Sequence, residues 1–459
     1  MTLISSISGI RGTIGGSIGS NLTPVDIVHF ASAFGTWLTL KTNSRTVVIG
    51  RDARPSGEMV YQIVSGTLVG LGLKVIDLGI STTPTVEMAV PELKAAGGII
   101  LTASHNPVDW NALKLLNYRG EFVTKKDGLE ILEILTNKYY RFSEVKDLGL
   151  IVQDDSFLDF HIKEILNLKL VDRYAIKRSK LKVVVDGVNS SGGIAVPELL
   201  KALGVNDIIK LNCQPNGWFS HNPEPLAQHL TEICDMVKDT GADLGIVVDP
   251  DVDRLVFIDN EGKMFGEEYT LVAIADYILS YKKSAVVSNL SSSRALKDVA
   301  EQHGCRYHAA AVGEVNVVEI MKRTDALIGG EGNGGIIYPQ LHYGRDALVG
   351  IALFLSHLVK SNKTCAELRA QYPDYYMAKK KIQLIEGINV ERILEDFRKK
   401  HQNENITDID GIKIDFDDSW VHLRRSNTEP IVRIYTEAKT QEEADQLADK
   451  VIDELKSLA

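Results

Sequence analysis

The sequence predicts an α/β protein, with three α/β domains in series and a smaller α+β domain at the C-terminal end. Three observations lead there. The chain has 459 residues, room for about three or four domains of about 150 residues each. Short β-branched runs alternate with helix-period segments over most of that length, as strands joined by crossover helices do. After Tyr376 the rhythm changes to closely spaced strand-like runs with two amphipathic helices, which suits an antiparallel sheet.

Taken in order, Thr46–Ile49 reads as a strand and Gly57–Leu71 as a helix. Lys74–Asp77 and Gly98–Leu101 read as strands with a helix between them. The pattern restarts at Leu181–Val185, Leu244–Val248, Ala285–Ser288 and Ala326–Gly329, giving three units of about 100 residues each. The last domain has strand-like runs at Lys381–Leu384, Ile412–Asp415, Trp420–Leu423 and Ile431–Tyr435, with helices at Val390–Lys400 and Gln441–Leu458. The expected domains are 1–150, 151–254, 255–371 and 372–459.

Composition narrows the function classes. Lys plus Arg is 51 against 61 Asp plus Glu, a net charge of −10, so a broad basic face for nucleic acid is not expected. A small anionic ligand held by a few local arginines remains compatible with that balance. The hydrophobic share of 44% and charged share of 24% exclude disorder and collagen-like structure. Cys213, Cys234, Cys305 and Cys365 show no CxxC spacing, which points to reduced thiols rather than disulfides or zinc. Met1–Gly9 lacks the features of a signal peptide, and no apolar run reaches about 18 residues. A cytoplasmic location with no membrane partner is expected.

The sharpest motif is Asp249-Pro250-Asp251-Val252-Asp253-Arg254, directly after an apolar strand. Three alternating carboxylates repel, at about 4 kcal/mol per close pair at intermediate dielectric, and a hard divalent cation removes that cost. An EF-hand is excluded, because its Gly position is Arg254 and its last position is Asn260. The other reading is a solvated acidic turn.

Thr102-Ala103-Ser104-His105-Asn106-Pro107 also follows an apolar strand, so Ser104 is a candidate nucleophile with His105 and Lys114 nearby. A turn or cap role fits the same residues, and Ser220-His221-Asn222-Pro223 repeats the tetrapeptide without a preceding strand. Arg424-Arg425-Ser426-Asn427-Thr428-Glu429-Pro430, with Arg433 beyond, offers guanidinium forks and hydroxyls to a phosphate, or is an exposed hairpin. Gly329–Gly335 admits close backbone approach, and Glu331 can accept from sugar hydroxyls; a flexible turn is the alternative. Gly187–Gly193 is an anion site or a simple helix start. Arg11 in Gly9–Gly12, and Arg51 and Arg54 in Gly50–Arg54, hold phosphate or pair with surface acids. A nucleophilic serine, a hard-cation loop and a phosphate dock together read as phosphoryl transfer.

This set of motifs, in this order, resembles the α-D-phosphohexomutase family over nearly the whole chain. The resemblance implies four domains around a central cleft, and assigns roles by position. Ser104 is the phosphoserine, with His105 beside it. Mg²⁺ sits on Asp249, Asp251 and Asp253, with Ser104 as a further ligand and Arg254 alongside. Arg11 and Lys114 are active-site cations. Glu331, Asn333 and Gly334 belong to the sugar loop, and Arg424, Ser426, Asn427, Thr428 and Arg433 to the phosphate dock. The implied reaction passes a phosphoryl group from Ser104 to a sugar phosphate, through a hexose 1,6-bisphosphate that turns over in the cleft. A hinge before the last domain is therefore expected.

Two positions depart from the family pattern. Gly335 stands where many members carry His, and Glu314 replaces a second His after Val312-Gly313. The general acid/base is then Lys114 in first place, with Glu314 and His342 as alternatives. The Glu331–Gly335 loop and Asn222-Pro223-Glu224-Pro225 look like those of a branch assigned to glucosamine phosphate, so phosphoglucosamine mutase activity is expected. A phosphomannomutase/phosphoglucomutase is the near alternative, and a Mg²⁺-dependent sugar phosphatase or a non-catalytic sensor the alternatives of other classes. A monomer or homodimer is expected.

Overall fold

The computed structural model describes residues 2–6, 9–383, 390–425 and 431–458. It contains four sheets. The first runs in the order Ile4–Ser6, Gly9–Thr13, Trp110–Leu116, Gly97–Leu101, Thr46–Arg51, Lys74–Ile80, Ile151–Gln153. The second is Leu255–Ile258, Leu244–Val248, Lys182–Asp186, Asp207–Leu211, and the third is Tyr307–Ala310, Val286–Asn289, Ile328–Glu331, Gly335–Ile337.

These three sheets share one plan. Three parallel strands, with the first in chain order at the centre, are followed by a fourth that returns antiparallel beside the third. The return strands Trp110–Leu116, Leu255–Ile258 and Gly335–Ile337 are absent from the sequence reading, which expected parallel strands alone. Each is buried or nearly so, and follows a polar or glycine-rich loop that hides its periodicity. The expected cut at 254 therefore severs a hairpin, because Leu255–Ile258 pairs with Leu244–Val248 in the second sheet. Likewise Ile151–Gln153 lies past 150 yet pairs with Lys74–Ile80 in the first sheet.

The fourth sheet is antiparallel throughout, in the order Tyr376–Gln383, Ile431–Ala438, Trp420–Arg425, Ile412–Asp415, Asn405–Thr407. Helices Val390–Lys400 and Gln441–Leu458 contribute Ile393, Phe397, Ala448 and Val451 to its core. The first unit has its own main core around Phe30, Phe34, Val47 and Ile99. The second and third share one, in which Phe257 stacks on Phe354 at 3.7 Å between ring centroids. No helix among the described residues is long and apolar enough to cross a membrane.

Candidate active site

The shared plan sets the site, because each functional loop is the turn of one terminal hairpin. The Ser104 loop joins Gly97–Leu101 to Trp110–Leu116, the Asp249–Arg254 loop joins Leu244–Val248 to Leu255–Ile258, and the glycine loop joins Ile328–Glu331 to Gly335–Ile337.

The aspartate loop is fully buried, which excludes a solvated acidic turn: Asp249, Asp251 and Asp253 are all 0% exposed. Ser190 and Ser191 donate from their hydroxyls to the Pro250 carbonyl at 2.7 Å each, so Gly187–Gly193 braces this loop. Asp249 Oδ1 accepts from the backbone of Asp253 and Arg254 at 3.1 Å each. Asp251 Oδ2 accepts from Thr83 Oγ1 at 2.5 Å and Lys114 Nζ at 2.7 Å, and Asp253 Oδ2 from Lys114 Nζ at 3.3 Å and Arg345 at 2.7 Å. One oxygen from each carboxylate lies within 4.8 Å of the others. Asp251 Oδ1 and Asp253 Oδ1 are buried and accept no hydrogen bond among the described residues. Buried acceptors are seldom left so, and an all-oxygen set of this charge fits a hard divalent cation. Burial, then repulsion from Asp253 and Asp251, holds the Asp249 carboxyl well above its usual range. Burial works the same way on Asp251, but the Lys114 ammonium and Thr83 hydroxyl outweigh it and lower its pKa.

Ser104 is aimed at this loop. Its Oγ donates to Asp249 Oδ2 at 2.6 Å, and His105 Nδ1 lies 3.4 Å away. Ser104 has φ of 50°, a left-handed conformation that a non-glycine residue adopts only when its surroundings impose it. Arg54, 1% exposed, imposes it by donating to the carbonyls of Ser104, Asn106, Pro107 and Trp110. Its Nε is held by Asp52 at 2.9 Å, and Asp52 also accepts from Thr102 at 2.6 Å. Arg54 is thus a scaffold for the serine loop, and Arg51 pairs with Glu58 at 2.9 Å. Burial, together with the Arg254 guanidinium, pulls His105 down to about 3, leaving the ring neutral. The second Ser-His-Asn-Pro goes elsewhere, with His221 Nε2 on Asp186 at 3.0 Å.

Lys114 lies on the first return strand, between Asp251 and Asp253. Burial opposes its charge, but the two carboxylates prevail and raise its pKa. Arg254 lies 3.6 Å from Glu224.

In the glycine loop, Glu331 Oε1 accepts from Asn289 at 2.9 Å and the Gly313 backbone at 3.0 Å. Asn333 accepts from the Gly335 backbone at 3.3 Å. Gly334, with φ of 85°, accepts from Leu255 N at 3.0 Å, and a Cβ there would lie 2.3 Å from the Leu255 carbonyl oxygen. Glycine here lets the third loop sit on the second.

The residue that sequence reasoning missed is Arg345. It is 9% exposed and reaches Asp253 at 2.7 Å, Glu314 at 2.8 Å and Glu331 at 3.2 Å. A Cβ on Gly335 would lie 2.3 Å from its Cδ. Gly335 and Glu314, the two departures noted above, therefore meet on one side chain. Burial, partly offset by Arg345, raises Glu314 to about 7.

On the fourth domain, Arg424 pairs in register with Arg433 on neighbouring strands and lies 2.9 Å from Asp410. Ser426, Asn427 and Thr428 lie outside the described residues. Arg11, on the first domain, is exposed, yet surrounding protein and the facing Arg433 lower its pKa. The charges of Arg11 and Arg433 repel, and a bound anion relieves such repulsion.

A serine hydrogen-bonded into a buried carboxylate site, with Lys114 and Arg345 paired to the same carboxylates, suits a phosphotransferring enzyme. The comparisons agree: the phosphoglucomutase/phosphomannomutase descriptions match in sequence, alpha/beta/alpha domain I at residues 4–141, domain II at 159–262, domain III at 266–376 and the C-terminal domain at 377–454. This chain belongs to the phosphoglucomutase/phosphomannomutase family, whose members are isomerases. It is 36% identical to a phosphoglucomutase/phosphomannomutase of Thermococcus kodakarensis, over 94% of this chain and 95% of that one. It is 33% identical to a phosphoglucosamine/phosphogalactosamine mutase of Sulfurisphaera tokodaii, over 98% and 97%. Among solved structures, a phosphoglucomutase/phosphomannomutase family protein of Burkholderia thailandensis shares the fold, with a TM-score of 0.85, 24% identity and coverage of 99% and 97%.

Proposed function

We propose that this enzyme interconverts glucosamine 6-phosphate and glucosamine 1-phosphate through a phosphoserine at Ser104. The observation that carries the proposal is the 2.6 Å hydrogen bond from Ser104 Oγ to Asp249 inside the buried carboxylate loop. Mg²⁺ on Asp249, Asp251 and Asp253 supplies charge neutralisation at the transferring phosphoryl group when bound. Arg11, Arg424 and Arg433, with the loop of Ser426, Asn427 and Thr428, grip the phosphate that is not reacting.

In the first half-reaction the free hydroxyl of the sugar monophosphate attacks the phosphorus on Ser104. The Ser104 O–P bond breaks, the sugar proton passes to a general base, and a bisphosphate forms. After the bisphosphate turns over, Ser104 Oγ attacks the other phosphate and loses its proton. The departing sugar oxygen takes a proton from the same acid/base, now reversed in role. Glu331 and Asn333 read the sugar.

We assign the acid/base to Glu314 in preference to Lys114. Lys114 is held charged between two carboxylates and is a poor proton acceptor. Glu314 shares Arg345 with Asp253 and Glu331, and a value near 7 suits both halves of the cycle. Glu314→Gln should lower kcat by about 10²- to 10⁴-fold and remove the limb of the pH–rate profile near neutrality. Retention of that limb would return the role to Lys114 or His342.

Ser104→Ala should abolish turnover while leaving sugar-phosphate affinity, read by calorimetry, nearly unchanged. Unchanged turnover would defeat the phosphoserine route. Support for the amino sugar comes from the Glu331–Gly335 loop and the Sulfurisphaera relative's name; the Thermococcus relative's name favours glucose or mannose phosphates as the second reading. Comparison of kcat/KM with Mg²⁺ and a trace of hexose 1,6-bisphosphate decides. A preference above about tenfold, or about 1.4 kcal/mol, selects the sugar.

A further inference from the structure

A second group of metal-ligating side chains adjoins the site, beginning at the residue after Arg345. Helix Thr83–Glu92 of the first unit carries Thr85 and Glu87, helix Phe157–Leu166 carries His161, and His342 and Asp346 precede helix Ala347–Ser361 of the third unit. His161 and Asp346 are 0% exposed, and the His342 side chain is 12% exposed.

Both rings point at one oxygen. His161 Nε2 lies 2.9 Å and His342 Nε2 3.3 Å from Asp346 Oδ2, and all three ligand atoms fall within 4.8 Å of one another. Asp346 Oδ1 is occupied elsewhere, accepting from the backbone of Leu348 at 2.8 Å and Val349 at 3.2 Å. Each ring also has an acceptor behind it: His161 Nδ1 is 2.9 Å from Thr85 Oγ1, and His342 Nδ1 is 3.4 Å from Glu87 Oε2. With protons on those outer nitrogens, both Nε2 lone pairs and the carboxylate oxygen are available to a single ion. Ligands about 2.0–2.1 Å from a tetrahedral ion are separated by about 3.3 Å, close to the spacing here.

An independent observation concerns Glu87. It is 1% exposed, and neither of its oxygens makes a hydrogen bond among the described residues. A Cβ at position 344 would lie 1.9 Å from Glu87 Oε2, so Gly344 leaves the room in which this carboxyl approaches His342. A carboxyl group behind a ligating histidine orients the ring.

We propose that His161, His342 and Asp346 bind a divalent transition-metal ion of the zinc class, with Glu87 orienting His342. The mixed nitrogen and oxygen donors favour Zn²⁺ or Co²⁺ over Mg²⁺, the reverse of the all-oxygen aspartate loop. The ion would fasten the second unit, through His161, to the third, through His342 and Asp346, with Glu87 of the first unit behind His342. Nothing in this proposal depends on which sugar phosphate is the substrate.

The test uses the full chain, freed of metal by chelation, then loaded with Co²⁺ in excess Mg²⁺ and dialysed. Wild type should retain about one equivalent of Co²⁺ with the visible bands of a four-coordinate site. His342→Gln and His161→Gln should lose both, while Asp251→Asn keeps them. Glu87→Gln, nearly isosteric, should fold and bind about 10- to 100-fold more weakly, which guards against a His161 variant that fails to fold. No Co²⁺ retained by wild type, or retention equal in the histidine variants, or loss confined to Asp251→Asn, overturns the proposal; the first result would leave a purely hydrogen-bonded network.

Discussion

The seam between the second and third α/β units and the seam between the third unit and the C-terminal domain are made of different materials. The first is apolar and continuous: Phe257, Phe265, Tyr269 and Phe354 belong to one core, and Gly334 rests on Leu255 by backbone contact. The second is a set of separate polar contacts. Arg294 donates to the carbonyls of Asp417 at 2.7 Å, Phe416 at 3.1 Å and Ser419 at 3.2 Å. Ser291 meets His422 at 2.9 Å, Val312 N donates to Asp410 at 2.9 Å, and Lys379 meets Glu267 at 2.6 Å. Apolar area returned to water is lost outright, whereas polar contacts can be exchanged for water at small net cost. The difference sets how firmly each part of the site is held. The aspartate and glycine loops share one apolar core, whereas the C-terminal domain is joined to the third unit by exchangeable polar contacts.

The largest effect tests the rigid seam. Phe354→Ala should cost about 3–5 kcal/mol in calorimetric unfolding, and should loosen the cation loop with it. A loss below about 1 kcal/mol would mean that the two units are not one folding body. At the polar seam, Arg294→Ala should cost about 2 kcal/mol and change kcat and KM together, as a hinge residue does. A change in stability with kinetics untouched would make that contact purely structural.

The smallest effect is a pH dependence at the same seam. Burial raises the Glu268 carboxyl to about 8, against the counter-pull of Lys379 and the Ser293 N–H. The folded chain then keeps a proton that the unfolded chain releases near about pH 4.3, so Glu268 weakens folding as pH rises from there to about 8. Between pH 7 and 9 the remaining loss is about 1 kcal/mol, and Glu268→Gln should flatten it. An unchanged slope would place the titration elsewhere.

Much of this was legible in the sequence, in a physically uneven way. Strands Leu244–Val248 and Ile412–Asp415 and helices Val390–Lys400 and Gln441–Leu458 have the bounds expected, since each has a clear period or an unbroken apolar run. The cation loop showed itself because crowded carboxylates are costly wherever they occur. Arg345 carried no such signal. It adjoins no motif, and its role exists only when three loops from two units converge on it. Arg54 was visible as a charge on a turn, but the four carbonyls that occupy it come from a loop about 50 residues away, and only the fold brings them there.

The crowding of Gly335 against Arg345 also couples what these two positions can hold. Histidine at 335 would drive its Cβ to 2.3 Å from Arg345 Cδ, and that side chain, anchored by three carboxylates, would have to shift. Shortening Arg345 first would strand Asp253, Glu314 and Glu331 without their shared cation. Histidine at 335 thus requires a compensating change at Arg345, and that change in turn unsettles Asp253, Glu314 and Glu331.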